Sequence, residues 1–204
     1  MRSWVVTATL ALASVGTAHA ERDSFDPKAV YKIPRGPQTA TEGAASAPIT
    51  IVVWSDYACG YCNRVQGTLA KLDLLYPDQI RWVHRTLPLD DDYTLAAEAS
   101  LAAAAQGRFR PMHERLFALR GRVTRAEAEL VARELGLDMI RFRADLDVGT
   151  YKDVVAGDMA DAMKLGITGT PTFFVNGRRH YGAYDIETLT SAVQAARARA
   201  SLGA

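Results

Sequence analysis

Ser55-Asp56-Tyr57-Ala58-Cys59-Gly60-Tyr61-Cys62 is the stretch on which the reading of this chain turns. It holds both cysteines of the 204-residue sequence. On its N-terminal side, residues 49–54 form an unbroken β-branched and aromatic run, the profile of a strand buried on both faces. On its C-terminal side, Val65, Leu69, Leu72 and Leu75 recur at helical spacing until Pro77 stops the helix. The cysteines therefore sit where a strand hands over to a helix beginning near Cys59. Residues 80–87, closed by Pro88, read as a second strand, and strand, helix and strand in so short a span predict a right-handed βαβ unit.

A Cys-X-X-Cys pair at a helix N-terminus has a chemical use. Unpaired backbone N–H groups and the helix dipole favour an anion there. Cys59 is thus expected to have a lowered pKa and to act as nucleophile and leaving group. Cys62, one turn later and deeper, is placed to attack a mixed disulfide that Cys59 forms. Gly60 and Tyr61 let the turn form without another charge. A structural disulfide would close a loop too small to remove much entropy from the unfolded chain. A structural zinc site wants four ligands; no second cysteine pair follows, and His84, His113 and His180 fall in different elements. Neither a metal nor another cofactor is expected.

The first twenty residues stand apart from the fold. Arg2, an apolar run from Trp4 to Ala18, and the small residues of Ala18-His19-Ala20 have the layout of a secretory signal peptide cut after Ala20. The run is short for a membrane span, and no later stretch approaches that length. The formal charge is +1, from 24 lysines and arginines against 23 acidic residues. No whole-chain field would attract nucleic acid or acidic lipid. Arg197 and Arg199 read as a solvated helix face. The expectation is a soluble exported monomer, periplasmic or in an equivalent compartment.

Residues 21–48 look loop-like, punctuated by Pro27, Pro34, Pro37 and Pro48, with room for a short strand at 30–33. From Asp90 to Leu165 the periodicity is helical throughout. The Ala-rich span from Tyr93 to Gln106 stops at Gly107, and Phe109, Met112, Leu116 and Leu119 form a stripe. Thr124 with Glu127 is a capping box for a helix ending at Gly136. Asp138 can cap the next, which carries Met139, Phe142 and Leu146, and another runs from about Tyr151 to Leu165. These stripes read as core without chemistry. The end returns to β-structure, with a strand at 172–175, a type I′ turn at Asn176-Gly177 and a partner strand at 178–181. Asp185 caps a last helix with Ile186, Leu189, Val193 and Ala196 on one face.

Taken together, these features resemble the DsbA-like branch of thioredoxin-fold proteins. The likeness runs from about Ala47 to Val193. It includes the 55–62 stretch, Leu87-Pro88-Leu89, the Ala-rich helix, Gln106-Gly107-Arg108-Phe109, and Leu165-Gly166-Ile167-Thr168-Gly169-Thr170-Pro171. It implies an α/β thioredoxin fold with an inserted all-helical subdomain. The thioredoxin domain would comprise 49–90 and 166–204, the insertion 91–165, with 1–20 as signal peptide and 21–48 as an N-terminal segment. It further implies dithiol–disulfide exchange on cysteine-containing exported proteins without a bound cofactor. Cys59 would attack and Cys62 resolve. Pro171 would follow a cis bond beside the disulfide, and the Thr170 backbone would pair with a substrate strand.

Two departures bear on the direction of transfer. Gly60-Tyr61 stands between the cysteines where DsbA itself has Pro-His. With Thr170, this pair resembles DsbC-type isomerases, and the missing histidine removes one aid to the thiolate. Many family members carry a buried glutamate six positions before the first cysteine; here Val53 stands there. Proton transfer at Cys62 would then pass through water or Asp56, for which a loop-capping role is the equal alternative. An oxidase is the leading expectation, and a disulfide isomerase or reductase the next. The rival from another class is a thiol-based metal- or peptide-binding module, which lacks ligands. The resemblance also implies a recycling partner, a membrane thiol oxidase or a reducing relay.

Overall fold

A computed structural model describes residues 28–34 and 39–202. The signal peptide expected at 1–20 lies outside the described residues. Strand β2, Ile49–Ser55, alternates its side chains between two covered faces. Ile49, Ile51 and Val53 enter one core, Val52 and Trp54 another. Helix α1, Gly60–Leu75, leads to β3, Ile80–Thr86, which lies parallel to β2 with Trp82 opposite Ile51. Strand β4, Thr172–Val175, flanks β2 on its other side in antiparallel sense. Asn176 and Gly177, both at positive φ, then turn the chain into β5, Arg178–Arg179. With β1, Ala40–Glu42, antiparallel on β3, the sheet order is β1-β3-β2-β4-β5. Helix α7, Ile186–Leu202, joins α1 over one face through Leu189 and Val193.

Between β3 and β4 comes the helical subdomain. A 3-10 turn, Asp91–Tyr93, precedes α2, Thr94–Ala104, and α3, Phe109–Leu119. Helices α4, Arg125–Glu134, α5, Met139–Val148, and α6, Lys152–Lys164, follow. Helix α2 is buried on nearly every side, and alanine is what its neighbours leave room for. Ala96, Ala99, Ala102 and Ala103 share a core with Met112, Leu116, Val131 and Phe142. The Thr124–Glu127 capping box is formed, and Asp138 accepts from the Ile140 and Arg141 N–H groups. The chain is thus a thioredoxin fold: a central mixed sheet flanked by helices, with an inserted helical subdomain. Helix α6 belongs to two cores, giving Val155 to the helical one and Ala162 to the far face of the sheet.

The structure corrects several local expectations. Residues 30–33 form no strand. The Tyr31 N–H donates to Gly177 O at 2.8 Å and its ring meets Phe174 edge-on, over a turn too tight to extend a ladder. A Cβ on Gly177 would stand 2.7 Å from Tyr31 O, so that crossing needs glycine. The segment read as loop-like contains β1, whose three residues are too few to show alternation. The hairpin partner stops at Arg179 instead of residue 181. Leu75 and Leu119, placed on apolar stripes, are 56% and 36% exposed because each is the last residue of its helix, past the neighbour that would cover it.

A charged clamp pins α6 to the sheet. Arg85 of β3 is buried, with Nε 2.5 Å from Asp158 Oδ1 and Nη2 2.6 Å from Asp161 Oδ2. Its Nη1 donates to Pro34 O at 2.6 Å. Asp158 Oδ2 accepts the Thr86 N–H at 2.8 Å, and its carbonyl accepts the Trp54 indole N–H at 3.1 Å. Removing one ion of such a set leaves the other buried and uncompensated. Arg85→Met is expected to lower the unfolding free energy in urea by about 3–5 kcal/mol. Arg85→Met with Asp158→Leu should recover part of that loss.

Candidate active site

Strand β2 ends in a tight loop that delivers Cys59 to the start of α1. The Cys59 N–H donates to Asp56 O at 3.1 Å, and Cys59 O accepts the Asn63 N–H at 3.1 Å. Cys59 has extended backbone angles and is the N-cap residue of α1, where no side-chain oxygen caps the helix. Its sulfur occupies the place such an oxygen would hold. The Cys59 sulfur is partly accessible, whereas Cys62 is fully buried, and both are free thiols. Tyr61 between them is 66% exposed, with the Arg64 guanidinium 4.3 Å from its ring centre.

The second half of the site comes from the loop before β4. The Thr170–Pro171 bond is cis, and the Cys59 thiol donates to Thr170 O at 3.4 Å. The Thr170 hydroxyl is buried without a hydrogen-bond partner in this dithiol state, yet it bears on both sulfurs. Partial burial by itself raises the Cys59 pKa. The Thr170 side chain, the backbone and thiol of Cys62 and the backbone of Tyr61 outweigh it and hold the thiol below its ordinary value. Burial pushes the Cys62 thiol up to about 12. Two cysteines one turn apart thus have opposed acidities, one suited to leave as a thiolate and one to stay protonated.

Asp56 is buried beside them. Its carboxylate accepts the Ala58 N–H at 2.9 Å and the Leu89 N–H at 3.3 Å, tying the loop after β2 to the loop after β3. Burial raises its pKa above the ordinary value. Its contact with Cys62 runs through the backbone. Val53 is buried with Ile51 and Val65 in the sheet core, so this position supplies no carboxylate.

A polar seam beneath the pair went unread in the sequence. Tyr57 Oη and His113 Nδ1 are 2.8 Å apart, His113 Nε2 and Gln66 Oε1 3.3 Å, and Gln66 Nε2 donates to Cys62 O at 3.0 Å. Since the Gln66 amide nitrogen is the donor to Cys62, its oxygen accepts from His113 Nε2–H, leaving Nδ1 to accept from the Tyr57 hydroxyl. That assignment is a neutral His113. Burial agrees, holding its pKa well below the ordinary value, with the Arg110 charge acting the same way. His84 stacks 4.9 Å from His113 and meets Glu42 Oε2 at 2.9 Å; Glu42 Oε1 lies 2.6 Å from Arg110 Nε. Both histidines are so engaged, and among the described residues no group of three or more His, Cys, Asp or Glu is placed to hold a metal ion. His113 lies four residues after Phe109 on the buried face of α3. Its place on that face was the available signal.

The DSBA-like thioredoxin domain model matches residues 50–194. A thioredoxin-like oxidoreductase from Silicibacter pomeroyi is 32% identical, with a TM-score of 0.72 over 79% of this chain and 94% of that one. BdbD from Bacillus subtilis is 21% identical, with a TM-score of 0.74 over 82% and 97%, a likeness of fold. The Na(+)/H(+) antiporter NhaA 3 of Salinispora tropica is 41% identical over 163 residues, 78% of this chain and 25% of that protein. The chain spans about a quarter of the length of the curated relatives it matches.

In the reduced protein, iodoacetamide should modify Cys59 with a pH inflection below the ordinary thiol value of about 8.5, and leave native Cys62 unmodified at pH 8. Equal rates at both sulfurs across pH 5–8 would contradict the geometry. Thr170→Val should shift the Cys59 inflection upward while leaving the circular dichroism spectrum unchanged, because a thiolate loses a hydroxyl donor that the thiol does not use.

Proposed function

The chain belongs to the DSBA-like thioredoxin domain family of thiol–disulfide oxidoreductases, and from that premise we propose that it is a dithiol oxidase of exported proteins. The observation behind this reading is the inequality of the two thiols. A substrate thiolate attacks Cys59 Sγ of the oxidised pair. The Cys59–Cys62 bond breaks, and Cys62 leaves with the electron pair and takes up a proton, as its high pKa favours. A second substrate thiolate then attacks the substrate sulfur of the mixed disulfide, and Cys59 leaves as a stabilised thiolate. The substrate loses two electrons and the protein gains them. A good leaving group at Cys59 favours that last step.

In this reading Asp56, buried beside the pair with its pKa raised, passes the proton to and from Cys62. The Thr170–Pro171 loop receives the substrate segment by strand addition. Thr170 O accepts the Cys59 thiol in the free dithiol; once Cys59 is part of a mixed disulfide, that oxygen is released for a substrate N–H. A disulfide isomerase is the second reading, favoured by Gly60-Tyr61 and Thr170, which resemble DsbC-type enzymes. Export after cleavage at Ala20, a monomeric state and a membrane thiol oxidase as recycling partner complete the proposal. Among the described residues no helix is long and apolar enough to cross a membrane. The antiporter name belongs to relatives of which this chain matches a quarter, and no transport role is proposed.

Equilibration with glutathione at pH 7 decides the direction. An oxidase should have a reduction potential above about −200 mV, whereas a value near about −270 mV, like thioredoxin, would make it a reductase. Cys62→Ser should trap mixed disulfides with substrate proteins, and recovery of a scrambled disulfide protein would favour the isomerase. Melting curves give an independent check. The folded pKa of Cys59 lies below its unfolded one, so the thiolate stabilises the reduced form fully above the unfolded value, and this is lost as pH falls through the folded value. The oxidised form has no such contribution. Cys62 opposes it only above its unfolded value, about 8.5. The Tm of the reduced form minus that of the oxidised form should therefore be larger at pH 8 than at pH 5.

A further inference from the structure

Beside the Cys59 sulfur lies a hollow of about 440 Å³ whose walls include Asn63, Arg64, Arg120 and Gly121 and no acidic residue. Arg110, Arg115, Arg122, Arg125, Arg141 and Arg143 of the helical subdomain each hold a carboxylate. Arg64 and Arg120 do not: among the described residues neither makes an ion pair. Arg64 lies over the Tyr61 ring, with Nη1 3.7 Å from where a Cβ on Gly60 would stand, so its charge is carried beside the residue that follows Cys59.

Arg120 is placed with more constraint. It ends α3 with φ 54° and ψ 87°, a left-handed conformation that favours glycine and costs an L-residue energy. The next residue is a glycine, also at positive φ, so the chain keeps an arginine at a position that disfavours it. Phe117 O accepts both the Arg120 N–H at 3.3 Å and the Asn63 side-chain amide, which clips this turn to the first turns of α1. Arg120 thereby lines the same hollow as Arg64 and Cys59.

We propose that this hollow is a carboxylate subsite: it receives an acidic side chain or a terminal carboxylate lying within about two residues of the substrate cysteine, a reach of about 7 Å along the chain. The inference rests on the exchange reading and names its substrate class, cysteine peptides with an acidic flank. During the mixed disulfide the substrate sulfur is bonded to Cys59 Sγ, so its neighbouring residues lie at the mouth of the hollow. Two guanidiniums can meet one carboxylate there through paired N–H donors. The same charges repel a cysteine flanked by lysine. Both arginines are exposed, so the effect is a selectivity of several-fold and depends on salt.

The test uses the oxidised protein and dithiol peptides that differ only in a Glu, Gln or Lys beside the attacking cysteine. Each rate is divided by that peptide's rate with a neutral aromatic disulfide, which removes the effect of the flank on thiol acidity. The Glu peptide should exceed the Lys peptide by about 5- to 10-fold at about 20 mM salt and by less than about twofold at 0.5 M. In Arg64→Gln/Arg120→Gln the Glu-to-Gln ratio should fall to about one. Glutathione against its diethyl ester separates the sources: a preference seen there and absent from the peptides would keep the carboxylate subsite and assign it to the free tripeptide. Equal normalised rates for all peptides, and for glutathione and its ester, would overturn the subsite and leave exchange intact. Failure of every peptide to reduce the protein would overturn exchange itself.

Discussion

The Cys59 thiol and the Thr170 carbonyl oxygen stand 3.4 Å apart across 111 residues of chain, and the order of the sheet is what maintains that distance. Strand β2 delivers Cys59 at one of its ends. Strand β4 lies against β2 in antiparallel sense, with Thr172 opposite Trp54, so the start of β4 comes back to the end of β2. A slip of one residue in that register would turn every side chain of β4 to the other face and carry Thr170 away from the sulfur. Register is fixed by burial on both faces, where Phe173 and Phe174 are fully enclosed in opposite cores.

The same contact explains why the two thiols differ. Cys59 takes the position of a helix cap, where backbone donors converge and solvent still reaches, and the sulfur can be an anion. Cys62, one turn inward, faces the helical subdomain and belongs to its core. Burial there disfavours charge, and no carboxylate at Val53 offers a proton. The asymmetry requires no cofactor residue. It follows from starting a helix at one cysteine and covering the other with an inserted block.

The inserted block also carries charge and polarity to the pair. Tyr57, His113 and Gln66 form a directed chain of hydrogen bonds that ends on the Cys62 carbonyl. Beside it Glu42 joins His84 to Arg110 across β1, β3 and α3, and His84 stacks on His113. Tyr57, His113 and Gln66 are hydrogen-bonded in sequence across the loop after β2, α3 and α1, which ties the subdomain to the sheet. On the open side, the clip from Asn63 to the end of α3 sets the distance between α1 and Arg120. One interface thus packs the subdomain within and shapes the hollow beside Cys59 outside.

Residue type and spacing in the sequence were enough to establish the βαβ unit, the helical block, the closing hairpin and helix, and the cysteine pair at a helix start. These are local matters: periodicity, caps, and a proline or glycine at each boundary act over a few residues. The short edges were only partly legible, since the three residues of β1 carry no period, β5 ends two residues before the stretch read as strand, and Val30 to Ile33 has a strand's composition but joins no ladder. The ends of apolar stripes escaped it as well, because exposure of Leu75 and Leu119 depends on where a neighbour stops. Thr170 was legible as a loop residue, but its unpartnered hydroxyl was not. Nor were the stacking of His84 on His113, the Arg85 clamp, or the two arginines beside Cys59. Each of these depends on groups far apart in the chain meeting at hydrogen-bond or ionic distance, which burial and strand register decide and local sequence does not encode.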